Sequence, residues 1–205
     1  MGGFCYSYFY MKPILFIDFD GTLCHDRFWK NLDARDLNKL QKFLFTKDSQ
    51  LLKEWMRGRL SSERIVEICS KDLSIPYDYL WRIFVEECKT MKVPKESLDR
   101  ISSLRLSFYT VLITDNMDSF SRFTAPSLNL NRYFDIIANS ADSGILKLDN
   151  DGFIFKTISA KLQSPLSVSI LFDDSLKTCE LFATLGGKSN LVTKSKDLLF
   201  YLKSL

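Results

Sequence analysis

The chain lacks any apolar stretch that approaches the roughly 20 residues needed to span a membrane. It has a single histidine, His25, with no partner at metal-ligand spacing, so its reading is structural rather than that of a metal ligand. Its five cysteines, Cys5, Cys24, Cys69, Cys88 and Cys179, include no Cys-x-x-Cys pair, which argues against zinc and against a redox couple and for reduced core residues. Internal repeats, low-complexity tracts and Gly/Ser/Pro-rich linkers are missing too. The first ten residues are aromatic and carry no basic segment, so they make a poor signal peptide. They read as an N-terminal extension before Met11, and the expected location is the cytoplasm. A formal net charge of +3 is too small to mark a nucleic-acid or membrane surface, but it is compatible with a small anionic substrate.

What is present is enough to bury a substantial core: 205 residues, 46% hydrophobic and 14% aromatic. Ile14-Leu15-Phe16-Ile17 is a continuous apolar run between Pro13 and a Gly-Thr turn, as in a strand buried on both faces. Similar runs recur at Ser107 to Ile113, at Ile136-Ile137, at Val168 to Phe172 and at Asn190 to Val192. Helical patterns separate several of them, which implies a parallel sheet with right-handed crossovers. The segment 26–105 differs in texture. Leu37, Leu40 and Leu44, then Ile65, Ile68 and Cys69, then Tyr77, Leu80, Trp81, Phe84 and Cys88 follow helical stripes. Asp33, Ser62 and Asp78 are candidate helix starters, and Pro94 suits the first turn of a last helix. The fold expected is α/β, a Rossmann-like parallel sheet core (11–25 and 106–205) with an inserted helical cap (26–105).

The acidic residues fall at the carboxyl ends of the expected strands, where open α/β sheets bind ligands. Asp18 and Asp20 follow the first run, Asp173 and Asp174 the fourth, and Thr114-Asp115 the second. A carboxylate at the end of an apolar strand is costly unless paired, hydrogen-bonded or bound to a cation. Carboxylates this close suit a hard, oxygen-seeking ion such as magnesium. An isolated Asp-x-Asp-Gly is most simply a turn, but the recurrence of the polar theme at three strand ends argues for a site.

On these residues the chain resembles the haloacid dehalogenase-like superfamily. Ile14 to Thr22 is similar to its first motif, Val111-Leu112-Ile113-Thr114 to its second, Tyr133 to Ser140 with Gly144 and Lys147 to its third, and Leu171 to Ser175 to its fourth. The resemblance implies a phosphatase with a helical cap of the C1 type, acting on a small phosphorylated metabolite. It implies Asp18 as nucleophile, Asp20 as general acid and then base, and Thr114 and a lysine as groups that neutralise the phosphate oxygens, while the strand end Thr114-Asp115 by itself offers a hydroxyl and backbone N–H groups to such an oxygen. Magnesium is implied on Asp18, Asp174 and the Asp20 backbone carbonyl, with Asp173 as a ligand or supporting partner. The lysine has two candidates. Leu148 stands where proline is usual after it, and Asn150-Asp151-Gly152 reads as a hairpin turn between Leu146 and Phe155, which brings in Lys156 as a rival. Spacing from Ser140 through Gly144 favours Lys147. Arg57 and Arg59 lie where related caps face the site, and Arg59 is the candidate to grip the substrate. A phosphomutase and a non-catalytic phospholigand-binding protein are alternatives on the same scaffold. A carbon-halogen hydrolase fits less well, because that branch lacks the second aspartate.

Overall fold

The computed structural model describes residues 11–45 and 50–205, so the expected extension 1–10 lies outside the described residues. Five parallel strands form one sheet: β1 (Ile14–Ile17), β2 (Tyr109–Thr114), β3 (Ile136–Asn139), β4 (Ile170–Asp173) and β5 (Lys188–Leu191), in the order β3-β2-β1-β4-β5. The chain builds outward from β1 to β3, then returns to place β4 on the other side of β1. That reversal opens the crevice between the carboxyl ends of β1 and β4.

The central strand explains why the sheet is covered on both faces. Alternate residues of β1 point opposite ways. Ile14 and Phe16 pack with Phe155, Ile158 and Phe182 of helices α8 (Phe153–Leu162) and α9 (Leu176–Thr184). Phe16 meets Phe155 and Phe182 edge to face, with centroids 5.4 and 5.5 Å apart. Leu15 and Ile17 pack on the other face with Ile101, Leu104, Leu112, Phe120 and Leu202.

Between β1 and β2 stand α1 (Ala34–Leu44), α2 (Gln50–Met56), α3 (Ser62–Leu73), α4 (Tyr77–Lys89) and α5 (Lys95–Leu104). The first four share a core of their own around Trp29, Leu40, Trp55, Ile65, Cys69, Leu80 and Phe84. Asp33 caps α1 by accepting from the Arg35 and Asp36 amides. Ser61, rather than Ser62, caps α3, while Ser62 is buried and bonded to Asp118. Pro76 and Pro94 immediately precede α4 and α5. The buried carboxylate of Glu87 is structural, accepting the Lys30 and Asn31 amides at 2.8 and 2.9 Å.

Two expectations are corrected. Helix α5 was expected in the cap, but Leu98, Ile101 and Leu104 belong to the sheet-side core, so the cap's own core ends with α4. The expected hairpin at Asn150 to Gly152 is instead a turn that opens α8, with three successive residues at φ 47, 52 and 72°. Phe155 and Ile158 lie one helical turn apart and pack on the sheet. The short helices α6 (Ala125–Ser127), which follows a π-helical turn at Phe120–Thr124, α7 (Ser140–Ser143) and α10 (Leu198–Leu202) complete the chain.

Cap and core are joined by a charged seam. Arg122, beyond β2, forms a two-armed pair with Glu63 of α3 and reaches Asp118 at 2.7 Å. Hydrogen bonds from Arg122 hold the Glu63 carboxyl down at about 2, against an ordinary value of 4.5. A depressed carboxyl stabilises the fold above its unfolded pKa, and that contribution is lost as the pH falls toward the folded value. Glu63→Gln is therefore expected to lower Tm at pH 7 and by a smaller margin at pH 3, measured by thermal melts against wild type. An equal margin at both pH values would contradict this role.

Candidate active site

The crevice between β1 and β4 is a cleft of about 300 Å³ lined by Asp18, Asp20, Arg27, Thr114, Asp115, Lys147, Leu148, Asp173 and Asp174, among others. Asp18 follows β1 directly. Its amide donates to the Phe172 carbonyl of β4 at 3.0 Å, which continues the ladder up to the site. Asp173 ends β4, and one of its oxygens accepts the Ser175 amide at 2.8 Å at the start of α9. Asp18 and Asp173 are buried, whereas Asp174 faces the opening.

Lys147 decides the electrostatics of this floor. Its ammonium, buried with the carboxylates, lies 2.9 Å from Asp18 Oδ1 and 2.7 Å from Asp173 Oδ2. Burial alone would lower its pKa, but Asp18, Asp173 and Asp115 together raise it above the usual lysine value. Lys147 therefore stays charged. Lys156 lies on the exposed side of α8, outside the cleft-lining residues. Of the two sequence candidates, only Lys147 is brought to Asp18.

Asp20 occupies a different environment. Its Oδ2 accepts from Asn116 Nδ2 at 2.6 Å, and its Oδ1 lies 3.4 Å from Arg27 Nη1. Burial pushes its carboxyl up to about 6, with Arg27 and Lys147 opposing the shift. A carboxyl titrating there exchanges a proton near neutral pH, as a general acid and base must. Thr114, at the end of β2, has a buried hydroxyl with no hydrogen-bond partner, an orphan of the kind a ligand oxygen satisfies. Asp115 accepts the Lys147 amide at 2.9 Å and so helps hold the lysine loop.

The carboxylate oxygens of Asp18, Asp173 and Asp174 lie within 4.8 Å of one another. Three carboxylates against one ammonium leave a surplus of negative charge. Burial drives Asp18 upward in pKa, reinforced by Asp173 and Asp20 and opposed by Lys147, and burial with Asp173 does the same to Asp174. A divalent cation relieves that repulsion, and an all-oxygen donor set suits magnesium. Gly21 makes the cluster possible. At φ 78°, a Cβ there would stand 2.1 Å from Asp174 Oδ2, so a side chain would displace Asp174.

Not every candidate converges. Arg59, with a largely exposed side chain, pairs with Glu54 at 3.1 Å and is not among the cleft-lining residues. His25 is exposed and also lies outside that set. Cys24 is a buried thiol pushed by burial to about 11, a poor nucleophile. Asn116 and Arg27 were not singled out in the sequence. Asn116 stands two residues past Thr114, a polar residue at a strand end, which is a signal of sorts. Arg27 offered none, being one charge among many in the insertion.

A doubly wound parallel sheet with acidic strand ends at its switch point and a helical insertion above them defines a capped Rossmann-like protein. The fold is more specifically that of the haloacid dehalogenase-like (HAD) superfamily. No family model matches the chain, and no curated protein matches it. Among solved structures, it is similar to an HAD family enzyme from Bacteroides thetaiotaomicron in complex with magnesium and inorganic phosphate (TM-score 0.70, 16% identity, 90% of this chain and 96% of that one). It is similar to a predicted HAD-like family hydrolase from Porphyromonas gingivalis (TM-score 0.62, 16% identity, 88% and 91%). It is also similar to a 2-haloacid dehalogenase from Pseudomonas syringae pv. Tomato (TM-score 0.57, 16% identity, 89% and 86%).

A cation that binds only the folded cluster raises Tm by mass action. Magnesium titration is expected to stabilise the wild type and to lose that effect in Asp174→Asn and Gly21→Ala, read by thermal shift. Equal shifts in all three proteins would place the cation elsewhere.

Proposed function

We propose that the protein is a magnesium-dependent phosphatase of small phosphomonoesters, working through an aspartyl-phosphate on Asp18. The observation that carries this reading is Asp20, a second carboxyl two residues past the nucleophile, lining the same cleft and held there by Asn116 Nδ2 at 2.6 Å. Expelling an alkoxide requires a proton donor, whereas expelling a halide does not. Asp20 therefore favours phosphate chemistry over the reaction named for the dehalogenase structures.

In the first step, a carboxylate oxygen of Asp18 attacks phosphorus while the bond from phosphorus to the leaving oxygen breaks. Asp20 gives its proton to that oxygen, and the alcohol departs. In the second step, Asp20, now a carboxylate, takes a proton from water as the water oxygen attacks phosphorus. The bond to Asp18 breaks, freeing inorganic phosphate and returning both residues to their starting states. Lys147 and the Thr114 hydroxyl face the non-bridging oxygens, where charge must be stabilised. Magnesium, held by Asp18, Asp174 and Asp173 with the Asp20 carbonyl, would act as the Lewis acid that lets a dianionic phosphate approach an acidic cleft. The chain's own contribution is orientation: Asn116 aims Asp20, and Lys147 aims Asp18. The partner in this reading is a small phosphorylated metabolite, for which the open cleft of about 300 Å³ has room. Among the described residues, no helix is long and apolar enough to cross a membrane.

The test is release of inorganic phosphate from an aryl phosphate with and without magnesium. Chelation and Asp18→Asn are each expected to abolish turnover; metal-independent release, or full activity in the variant, would refute the reading. Lys147→Ala should reduce kcat on the order of 100- to 1,000-fold, as for loss of one preorganised group facing transition-state charge. Lys156→Ala should leave kcat unchanged, and the reverse ranking would reassign the lysine's role.

A further inference from the structure

Arg57, on the turn between α2 and α3, is not among the residues lining the cleft. It reaches across to the loop that carries Lys147. Its guanidinium pairs two-armed with Asp149, Nη2 donating to Oδ1 at 2.8 Å and Nη1 to Oδ2, and Nη1 also donates to the Gly144 carbonyl at 3.1 Å. Asp149 Oδ2 in turn accepts the Leu146 amide at 2.9 Å. One cap side chain thus holds both ends of the segment 144–149. Lys147 lies within that segment and extends from it to Asp18 and Asp173.

The same cap turn touches the core twice more. The Met56 carbonyl accepts from Ser140 Oγ at 2.7 Å, and Ser140 Oγ accepts the amide of Asn116, the residue that holds Asp20. Gly58 sits so close to the core that a Cβ would stand 2.1 Å from the Ala141 carbonyl. The Arg57 and Asp149 side chains are 21% and 24% exposed, so solvent only partly screens their attraction. A planar, forked guanidinium fixes direction as well as distance, which a lone surface charge does not.

We propose that Arg57 and Asp149 are positioning residues for Lys147, and that the turn Met56 to Gly58 makes the lysine's placement depend on the cap being seated. When the turn lifts, the 144–149 segment loses its clasp and the ammonium loses its fixed approach to Asp18. This role rests on the phosphatase reading for its kinetic consequence, but not for its structural one.

Two readouts separate those consequences. The first is amide hydrogen exchange on the full chain. Arg57→Ala and Asp149→Asn are each expected to speed exchange of the Leu146 and Lys147 amides while leaving the β1 and β4 amides protected. The second is steady-state hydrolysis of an aryl phosphate with magnesium. Both variants should lower kcat on the order of 10- to 100-fold with KM nearly unchanged, the size expected for small misplacement of a group remote from the substitution. The double variant should be no worse than either single one, because the two residues form one clasp. Arg57→Lys, which keeps the charge without the fork, should fall between wild type and Arg57→Ala. Unchanged exchange at 146 and 147 in a folded variant overturns the proposal, as does a lower Tm with kcat intact. A raised KM confined to the Arg57 variants also overturns it, by making Arg57 a substrate contact. Should Arg57→Ala fail to fold, Asp149→Asn carries the same test from the core side. If the wild type releases no phosphate, the function fails while exchange still decides the clasp.

Discussion

The ammonium of Lys147, held between Asp18 and Asp173 beneath the sheet's switch point, is the interaction on which the rest of the site depends. Two buried carboxylates at the ends of adjacent strands repel each other and resist desolvation, and an unpaired arrangement would cost several kcal/mol. One fixed cation between them reduces that cost and leaves the outer carboxylate, Asp174, facing the opening. The site is therefore compensated at the back by lysine, with a surplus of negative charge and an exposed carboxylate at the front.

The surrounding structure serves to keep that lysine and its carboxylates in register. The β1 and β4 ladder fixes the backbone of Asp18 and Asp173, and Gly21 leaves room for Asp174. Asp115 takes the Lys147 amide, and Asp149 takes the amide before it. Asp20 sits apart from this array and is held by Asn116, an environment unlike that of the carboxylates around Lys147. One scaffold thus gives two carboxyls two environments: Asp18 locked to an ammonium, Asp20 near its titration point.

How much of this was legible in the chain depended on whether the signal was local. The strands β1 and β4 could be read because burial on both faces forces an unbroken apolar run, and the acidic residues after them stand out against it. The cap helices were readable from their stripes, with Leu40, Ile65, Leu80 and Phe84 buried together. The segment after Lys147 misled because Asn150, Asp151 and Gly152 adopt positive φ both in hairpins and before a helix, and only the spacing of Phe155 and Ile158 separates the two. Helix α5 misled because a stripe shows that a helix is amphipathic, not which core it covers. Asn116 meets Asp20 across 96 residues, and Arg57 meets Asp149 across 92, pairings that no local pattern encodes. The choice between Arg57 and Arg59 was illegible for the same reason.

The central claim is that Asp18 itself becomes phosphorylated. The direct measurement is to quench the enzyme in acid during turnover of an aryl phosphate with magnesium and to locate the phosphate by peptide mass spectrometry. The account requires an acid-stable, base-labile adduct on the peptide containing Asp18, at Asp18. Phosphate on another residue, or sustained turnover with no covalent adduct at any time, would contradict it.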